Sequence, residues 1–347
     1  MESSPQSYEE LGEVERLKRQ LYDTRKELKA QRAVQAADSA LSQALRDVMP
    51  TRPTVPVGRP LRRRTSGNSY SGILDISDVH YGETVDLEST NGMWQYNMDI
   101  ARQRFDYTTD EAIDIGRFAK IGKLTMVLGG DLISGKIHDD LERTNEVMVM
   151  EQALDFSDVA YSQIEKLVQS FPEVEVVSVA GNHPRLYDRP YFKHKQVENF
   201  DYLIAKMLEQ KGKNQKGLYF NTPKSFWTVF ESEGRMFMTM HGDTNKQQHS
   251  QGISFYAVEK ELRKWWGMGN RTERPQFDDI ISHHLHTLAA IPVGYSVAWI
   301  NGSMKGPDEY TQAMTRAPSA AQQRMLITSR GEVKSDHAIK LDAIGRP

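Results

Sequence analysis

The chain has 347 residues, of which 38% are hydrophobic and 26% charged, and its formal net charge is −3. This composition supports one large soluble domain or two modest ones, and no stretch approaches the roughly 20 apolar residues of a membrane helix. Because the chain contains no cysteine, disulfides and thiolate metal sites are excluded. The polar N-terminus lacks the apolar region of a signal peptide, so we expect a cytoplasmic protein.

The first 68 residues are predicted to form an arm and a linker. Residues 1–48 favour a helix with weak coiled-coil character, because apolar residues fall on heptad positions at Val14, Leu17, Leu21 and Leu28. This helix would permit a homodimer, and the alternative is a solvated arm that packs on its own domain. Residues 49–68 contain four prolines and five arginines. They are typical either of a basic arm that contacts DNA phosphates or of a soluble linker.

The remaining residues, 69–347, are predicted to form an α/β domain. Strands alternate with helices early and predominate late, which favours mixed sheets. Helices are expected at Met98–Lys120, Thr144–Phe171, Val197–Gln210 and Ile253–Trp266. Strands are expected at Gly72–Ser77, Lys123–Leu128, Glu173–Ala180, Phe226–Phe230, Met236–Met240, Asp279–Ser282, Ser296–Asn301, Met325–Thr328 and Ala338–Leu341.

Five clusters of acidic, histidine and asparagine residues each follow a predicted strand. They are Asp78-Val79-His80, Gly129-Gly130-Asp131, Gly181-Asn182-His183, His241-Gly242-Asp243 and His284-Leu285-His286. Each cluster alone is common, and a structural role would explain it. Because ligands bind beyond the carboxyl ends of strands in α/β sheets, the ordered set predicts one shared site. Carboxylate, imidazole and amide donors together indicate a two-metal site for phosphate ester chemistry.

The order of these clusters resembles the calcineurin-like metallophosphoesterase superfamily over about residues 70–290. The pattern there is D-x-H, G-D, G-N-H-(D/E), H and G-H-x-H. The resemblance implies a metallophosphoesterase-type sandwich of two mixed β-sheets flanked by helices. Two further segments, Asn301–Tyr310 and Gly252–Tyr256, resemble the branch carried by tailed bacteriophages and prophages.

The resemblance also implies two divalent metal ions and a mechanism. The first metal would be bound by Asp78, His80, Asp131 and His286, and the second by Asp131, Asn182, His241 and His284. Asp131 would bridge the two metals, and a bridging hydroxide would attack phosphorus in line. His183 would stabilise the phosphoryl group or protonate the leaving oxygen. Mn²⁺ is the first choice of metal, with Fe, Zn²⁺ and Mg²⁺ as alternatives.

Three departures from the family pattern bear on the chemistry. Pro184 stands where the family has an acid that supports the catalytic histidine, and Asp188 or Asp243 could replace that acid. The Asp-Arg-Gly of the phosphoprotein phosphatases is absent after Asp131, which argues against a protein phosphatase. His283 is an extra imidazole, expected beside the metal ligands or on the surface.

The segment after His183 predicts the substrate class. It interleaves tyrosine and phenylalanine with basic residues, namely Arg185, Arg189, Lys193 and Lys195. Such a surface suits a nucleic-acid strand, and a solvated loop is the alternative. The first hypothesis is therefore a phosphodiester hydrolase acting on DNA, similar to the double-strand-break repair nucleases of the superfamily. The alternatives are a phosphomonoesterase or cyclic nucleotide phosphodiesterase for a small molecule, and a non-catalytic phage accessory protein.

A second basic and aromatic patch lies farther along the chain. It contains Arg263, Lys264, Trp265, Trp266 and Arg271. The two tryptophans are more simply explained as residues that pack in a core.

Overall fold

The computed structural model describes residues 16–18, 20, 69–137, 139–187, 193–243, 255–269, 277–314 and 320–345. The chain divides into two compact units, residues 1–58 and 59–347. In the first unit the described residues, 16–18 and 20, are helical. The rest of the predicted arm, and the whole predicted linker at 49–68, lie outside the described residues.

The first sheet of the second unit has six strands in the described residues. Their spatial order is β11 (Glu332–Lys340), β10 (Gln322–Ser329), β1 (Ser71–Ile76), β2 (Lys123–Leu128), β3 (Glu173–Ser178) and β4 (Leu218–Asn221). The four strands β1 to β4 are parallel, whereas β10 is antiparallel to both β1 and β11. The sheet is therefore mixed, with its parallel part formed early in the chain.

The second sheet has five strands in the described residues. Their order is β5 (Trp227–Ser232), β6 (Arg235–Met240), β7 (Asp279–Ser282), β9 (Ser296–Ile300) and β8 (Ala289–Val293). The three central strands β6, β7 and β9 are parallel, and the outer strands β5 and β8 are antiparallel to their neighbours. This sheet is also mixed, as predicted.

Six helices lie in the described part of the second unit. They are α1 (Met98–Ala119), α2 (Asp139–Thr144), α3 (Val149–Ser170), α4 (Phe200–Gly212), α5 (Phe255–Gly269) and α6 (Glu309–Met314). The side chain of Asn97 accepts the N–H of Ile100 and thereby caps α1, which ends where Lys120 adopts φ 56°. Among the helices described, none is long and apolar enough to cross a membrane.

The apolar side chains form three layers of core. Alternation along β1 sends Ile73 toward the second sheet, where it packs with residues such as Phe237. It sends Leu74 to the opposite face, into the core that contains Phe105 of α1 and Phe156 of α3. On the outer face of the second sheet, Trp265 of α5 belongs to a separate buried cluster. The prediction of two mixed sheets flanked by helices is therefore confirmed.

The long helix predicted from Thr144 is wrong at its start. Asn145 donates its amide to the carbonyl of Gly135 at 2.7 Å, and Glu146 accepts the N–H of Met98 at 2.6 Å. These tertiary bonds hold the segment outside a helix, which instead begins after Met148. Tertiary hydrogen bonds have overridden helix propensity here.

Other boundaries also differ from the sequence prediction. The helix expected from Val197 begins at Phe200, because Asn199 adopts an extended conformation and caps α4. The last strand runs over nine residues, Glu332–Lys340, whose side chains mostly alternate between exposed and half-buried. Only its apolar end was predicted from the sequence. The short elements α2, β4, β8 and α6 were not predicted.

Candidate metal centre

The five loops that carry the predicted metal ligands meet at one place. They follow β1, β2 and β3, which are parallel neighbours, and β6 and β7, which are also parallel neighbours. The loops after β1 and β2 stay paired, because the N–H of Asp78 donates to Gly130 O at 3.0 Å. The loop after β6 reaches the first sheet, where His241 Nδ1 donates to Gly129 O at 2.8 Å.

The first group of donors consists of Asp78, His80 and His286. One ligand atom from each lies within 4.8 Å of the other two. Nε2 of His286 lies 3.2 Å from Nε2 of His80 and 3.2 Å from Oδ1 of Asp78. Asp78 and His80 are buried and His286 is half-buried. All three were expected to bind the first metal.

The second group consists of Asp131, His241 and His284, again within 4.8 Å of one another. Nε2 of His241 lies 3.0 Å from Oδ2 of Asp131 and 3.2 Å from Oδ1 of Asn182. The rings of His241 and His284 are 5.2 Å apart between centroids. The structure therefore brings together the four residues expected at the second metal, while metal binding itself stays a prediction.

Asp131 lies between the two groups. It belongs to the second group, and it also lies within 4.8 Å of ring nitrogens of His80 and His183. Its Oδ1 accepts the N–H of His183 at 2.8 Å. The rings of His80 and His183 are perpendicular, with centroids 4.4 Å apart. Asp131 thus has the position that a bridging carboxylate needs, and the predicted catalytic His183 adjoins it.

The lone pairs of these donors face one another, and a cation would stabilise that arrangement. Since His241 Nδ1 donates to a carbonyl, Nε2 presents a lone pair to the oxygens of Asp131 and Asn182 when the ring is neutral, which is the form that binds a metal. Among the residues described, Oδ1 of Asp78 and Oδ2 of Asp131 are buried without a hydrogen-bond partner. Buried charges of this kind are paired or coordinate metals. The residues fit a divalent cation held by nitrogen and oxygen.

The electrostatics of the cluster differ from one donor to the next. Burial alone would lower the pKa of His241. The nearby carboxylates of Asp131 and Asp78 have the larger combined effect, and the pKa of His241 is raised to about 10. Burial would raise the pKa of Asp131, yet His241 and other imidazoles hold it well below its ordinary value. Burial and then His241 lower the pKa of His284 to about 3. An ionised Asp131 and a neutral His284 are the forms that ligate metals.

Backbone strain is concentrated in the same loops. Ten non-glycine residues of the described chain have φ in the left-handed region, and half of them belong to the two donor groups. Strained backbone of this kind persists only where surrounding contacts fix it, and it clusters at functional sites. The five residues are Asp78 (φ 51°), His80 (50°), Asp131 (52°), His284 (73°) and His286 (55°).

Asp201, which the sequence analysis did not single out, organises the backbone around Asp131. It lies in the first turn of α4, and its buried carboxylate accepts the N–H of Asp131 and of Gly181, each at 2.9 Å. It also accepts the N–H of Leu132 at 3.2 Å. Burial and then the charge of Asp131 raise the pKa of Asp201 to about 7. The helix start at Asn199 was the only local signal for this residue.

His283 supports the cluster from behind. It is fully buried, with Nδ1 2.9 Å from Met240 O and Nε2 2.9 Å from Asp75 Oδ1. A Cβ on Gly129 would lie 2.3 Å from the His283 ring, so the chain requires glycine there. Of the two positions predicted for His283, the structure shows the buried one beside the ligands rather than the one on the surface.

The structure shows what orients His183 next to Pro184. Nδ1 of His183 lies 3.2 Å from the carbonyl of Ser134, which can only accept, so the other ring nitrogen is left to face the site. The carboxylate of Asp243 is bonded to Lys195. Asp188 lies outside the described residues. A backbone carbonyl therefore stands in for the missing acid.

The four predicted substrate-binding residues are not equally available. Arg185 bonds the carbonyls of Asn182 and Tyr187 at 3.0 and 2.8 Å, and so stabilises its own loop. Lys195 is paired with Asp243. Lys193 is exposed, whereas Arg189 lies outside the described residues. Of this set, the structure presents Lys193 to solvent.

The second basic patch is largely neutralised within α5. Arg263 pairs with Glu259 at 2.6 Å, and Lys264 pairs with Glu261 at 2.9 Å. Trp265 is buried and packs against Trp227 with ring centroids 5.5 Å apart. The expectation of core packing is confirmed for Trp265, while Arg271 and the side chain of Trp266 lie outside the described set.

A buried ion cluster lies beside the first group of donors. Lys305, which is 4% exposed, donates from Nζ to Glu83 Oε1 at 2.7 Å and to Asp308. Asp308 also caps α6, since its Oδ1 accepts the N–H of Thr311 at 2.7 Å. Burial favours the neutral carboxyl, but Lys305 outweighs it and lowers the pKa of Asp308 to about 2.

We expect Asp308→Asn to destabilise the protein by about 2 kcal/mol at pH 7, because the amide keeps the cap oxygen but loses the charge beside Lys305. The pKa of Asp308 is lowered by folding from its ordinary 3.8. Its contribution is therefore present above about pH 4 and is lost as the pH falls toward 2. Urea unfolding of both proteins at pH 7, 4 and 3 should show a shrinking difference, and a constant difference would contradict the assignment.

Several solved structures are similar to this chain, although no family model and no curated protein matches it. A Streptococcus pneumoniae protein described as a predicted phosphoesterase aligns at 11% identity and TM-score 0.36, over 79% of this chain and 91% of its own. An archaeal phosphodiesterase aligns at 11% identity and TM-score 0.35, over 77% of this chain and 99% of its own. Zinc-complexed Vps29 of Entamoeba histolytica aligns at 14% identity and TM-score 0.32, over 78% of this chain and 99% of its own.

Proposed function

We propose that the protein is a metal-dependent hydrolase of phosphoric esters. The observation that carries this proposal is the convergence of seven nitrogen and oxygen donors from five strand ends, with Asp131 between two groups. Asp78 and Asp131 are suited to hold divalent cations, because one buried oxygen of each, Oδ1 of Asp78 and Oδ2 of Asp131, lies beside an imidazole nitrogen and has no hydrogen-bond partner among the described residues. The order of these residues along the chain is also the order in the calcineurin-like metallophosphoesterases, including the phage-type branch that the Asn301–Tyr310 segment resembles.

The donor set fits two metals. Asp78, His80, Asp131 and His286 would hold one, and Asp131, Asn182, His241 and His284 the other. When bound, two such cations activate a water molecule and neutralise charge on the phosphoryl oxygens. We propose Mn²⁺ as the physiological metal, because the set mixes carboxylate and amide oxygens with imidazoles and contains no thiolate.

His183 is proposed to act on the phosphoryl group. Its Nδ1 is directed to Ser134 O and its ring adjoins both His80 and Asp131, so the rest of the ring faces the donors. Burial lowers the pKa of His183, and nearby Asp131 opposes that effect. Because Nδ1 donates to Ser134 O, Nε2 carries a proton only in the positively charged ring, and that form can donate a hydrogen bond to the transferring group or pass a proton to the leaving oxygen.

We expect His183→Asn to lower turnover by roughly a hundredfold or more while KM changes little, because general acid catalysis is typically worth 10²–10⁴-fold. Steady-state kinetics with a phosphodiester that carries a poor leaving group would measure this. The matched control is the same assay with p-nitrophenol as leaving group, which needs no protonation. An equal loss on both substrates would contradict a role as proton donor.

For the substrate we propose a phosphodiester in DNA. The segment that follows His183 supports this, since it is basic and aromatic and places Lys193 in solvent. The alternative, a small phosphate ester, is favoured by a specific observation. Arg185 is bonded to carbonyls of its own loop and Lys195 is bonded to Asp243, which removes two of the predicted DNA contacts.

Three substrates assayed side by side with Mn²⁺ distinguish these possibilities. They are supercoiled plasmid, bis-p-nitrophenyl phosphate and p-nitrophenyl phosphate. Nicking or linearisation of plasmid that is lost in high salt supports a DNA enzyme, because phosphate contacts are salt-dependent. Hydrolysis of the small esters alone supports the small-molecule alternative. Hydrolysis of none of the three, with any of Mn²⁺, Zn²⁺, Fe²⁺ or Mg²⁺, would contradict the proposed function and favour a non-catalytic protein.

A further inference from the structure

A buried carboxylate lies behind His80 and has no part in the reaction proposed above. Glu83 is 5% exposed, and its Oε2 lies 3.5 Å from Nδ1 of His80. Both atoms are buried, and neither has a hydrogen-bond partner among the described residues. On the other side of the ring, Nε2 of His80 faces Nε2 of His286 at 3.2 Å. The imidazole thus lies between a carboxylate and the donor cluster.

We propose that Glu83 is a positioning residue whose carboxylate accepts a hydrogen bond from Nδ1–H of His80, so that Nε2 presents its lone pair to the cluster. A histidine that binds a metal commonly donates its other N–H to a carboxylate, which fixes the tautomer and the ring orientation. The inference deepens the proposed function and rests on it, because His80 is a proposed ligand of that same site.

Lys305 determines which oxygen of Glu83 is available. Its Nζ bonds Oε1 at 2.7 Å, so Oε2 is left toward His80. Lys305 carries the positive charge that compensates Glu83 in a buried position, and Asp308 holds the ammonium from its other side. A buried carboxylate without such a partner would be costly. The ion cluster therefore fixes Glu83 in both charge and orientation.

The same segment also fixes the backbone of the Asp78–His80 loop. The carbonyl of Asp78 accepts two hydrogen bonds, one from the hydroxyl of Ser303 at 2.9 Å and one from the N–H of Met304 at 3.1 Å. Asp78 and His80 both have left-handed φ, so the loop depends on such contacts to keep its conformation. Residues that the sequence analysis connected only with a family branch thus act as the support of the first donor group.

Glu83→Gln tests the proposal with almost no change in shape. Because the Lys305 ammonium only donates, it would bind the amide oxygen and turn the amide NH₂ toward His80. Nδ1 of His80 would then have to accept, and its proton would move to Nε2. The variant is therefore expected to reverse the tautomer and to weaken Mn²⁺ binding by about 10- to 100-fold.

The tautomer can be read directly by NMR of imidazole nitrogens in metal-free protein labelled with ¹⁵N-histidine, with His80 assigned by its loss in His80→Gln. We expect a protonated Nδ1 in the wild type and a protonated Nε2 in Glu83→Gln. Calorimetric titration with Mn²⁺ gives the affinities. Asp308→Asn is the matched control, because it keeps the Glu83–Lys305 bond and should retain the wild-type tautomer.

A proton on Nε2 of wild-type His80 would overturn the proposal, and that measurement does not depend on any variant folding. So would a Glu83→Gln protein with the wild-type tautomer or with unchanged Mn²⁺ affinity. The NMR readout is independent of catalysis. A wild-type protein that shows the expected tautomers and affinities but hydrolyses no phosphate ester would contradict the proposed function while supporting the role of Glu83.

Discussion

Asp131→Asn is expected to lower Mn²⁺-dependent hydrolysis of phosphate esters by on the order of a thousandfold, or about 4 kcal/mol of transition-state stabilisation. Asp131 is the one carboxylate within reach of ring nitrogens from both sides of the cluster, within the part of the chain that the structure describes. Its replacement removes a charge that both metal positions would share. Steady-state kinetics on the best of the three substrates above would give the loss.

Asp131→Asn keeps the shape of the side chain, so a loss of activity can be distinguished from a loss of folding. Its oxygen can still accept the N–H of His183, which Asp131 Oδ1 accepts at 2.8 Å. Its NH₂ would replace Oδ2 beside Nε2 of His241, now 3.0 Å away. Asp106→Asn makes the same change at a half-buried position of α1, where Asp106 pairs with Lys166. Asp131→Asn activity within about tenfold of the wild type would contradict the assigned position.

Asp279→Asn is expected to destabilise the fold by about 3–5 kcal/mol, because one partner of a buried charge pair would be lost. The Asp279 carboxylate is fully buried at the start of β7 and accepts Nε and Nη2 of Arg235 at 2.7 and 2.6 Å. It also accepts the N–H of Val297 and Nε1 of Trp299 at 2.8 and 2.9 Å. In the variant, the side-chain NH₂ would replace one of the two accepting oxygens, so two hydrogen-bond donors would face each other at the guanidinium.

This loss should appear as a fall in Tm on the order of 10 °C. Asp279 ties β6, β7 and β9 together, and two of those strands precede loops of the metal centre. Glu165→Gln, an acid-to-amide change at an exposed position of α3, provides the control. A change in Tm for Asp279→Asn no larger than that of the control would show that the pair with Arg235 contributes little.

The parts of the site that sequence could predict are those with a local signature. Asp78, Asp131 and His241 each follow a short apolar run, and such runs predict buried strands and place polar side chains at strand ends. Their order then predicted a shared site, which the structure reproduces in geometry. The alternation of strands and helices predicted an α/β domain with mixed sheets, and the number of two sheets came from the family resemblance.

The parts that sequence could not predict depend on contacts between distant residues. Glu83 is held by Lys305, 222 residues away, and Asp201 accepts the N–H of Asp131, 70 residues away. Neither residue type is unusual in its local context. Ser134 likewise replaces the expected acid near His183 through its backbone carbonyl, for which no side-chain motif exists. Local sequence patterns therefore indicated the donors but not the residues that orient them.

We expect the two donor groups around Asp131 to bind divalent metal, and the metal content of the purified protein tests this claim. Metal-free wild type and Asp131→Asn would be dialysed against Mn²⁺ and analysed by inductively coupled plasma mass spectrometry. The structure predicts about two Mn²⁺ per wild-type chain and fewer in the variant. A wild-type chain that retains no Mn²⁺, and none of Zn²⁺, Fe²⁺ or Mg²⁺ in parallel dialyses, would contradict the claim.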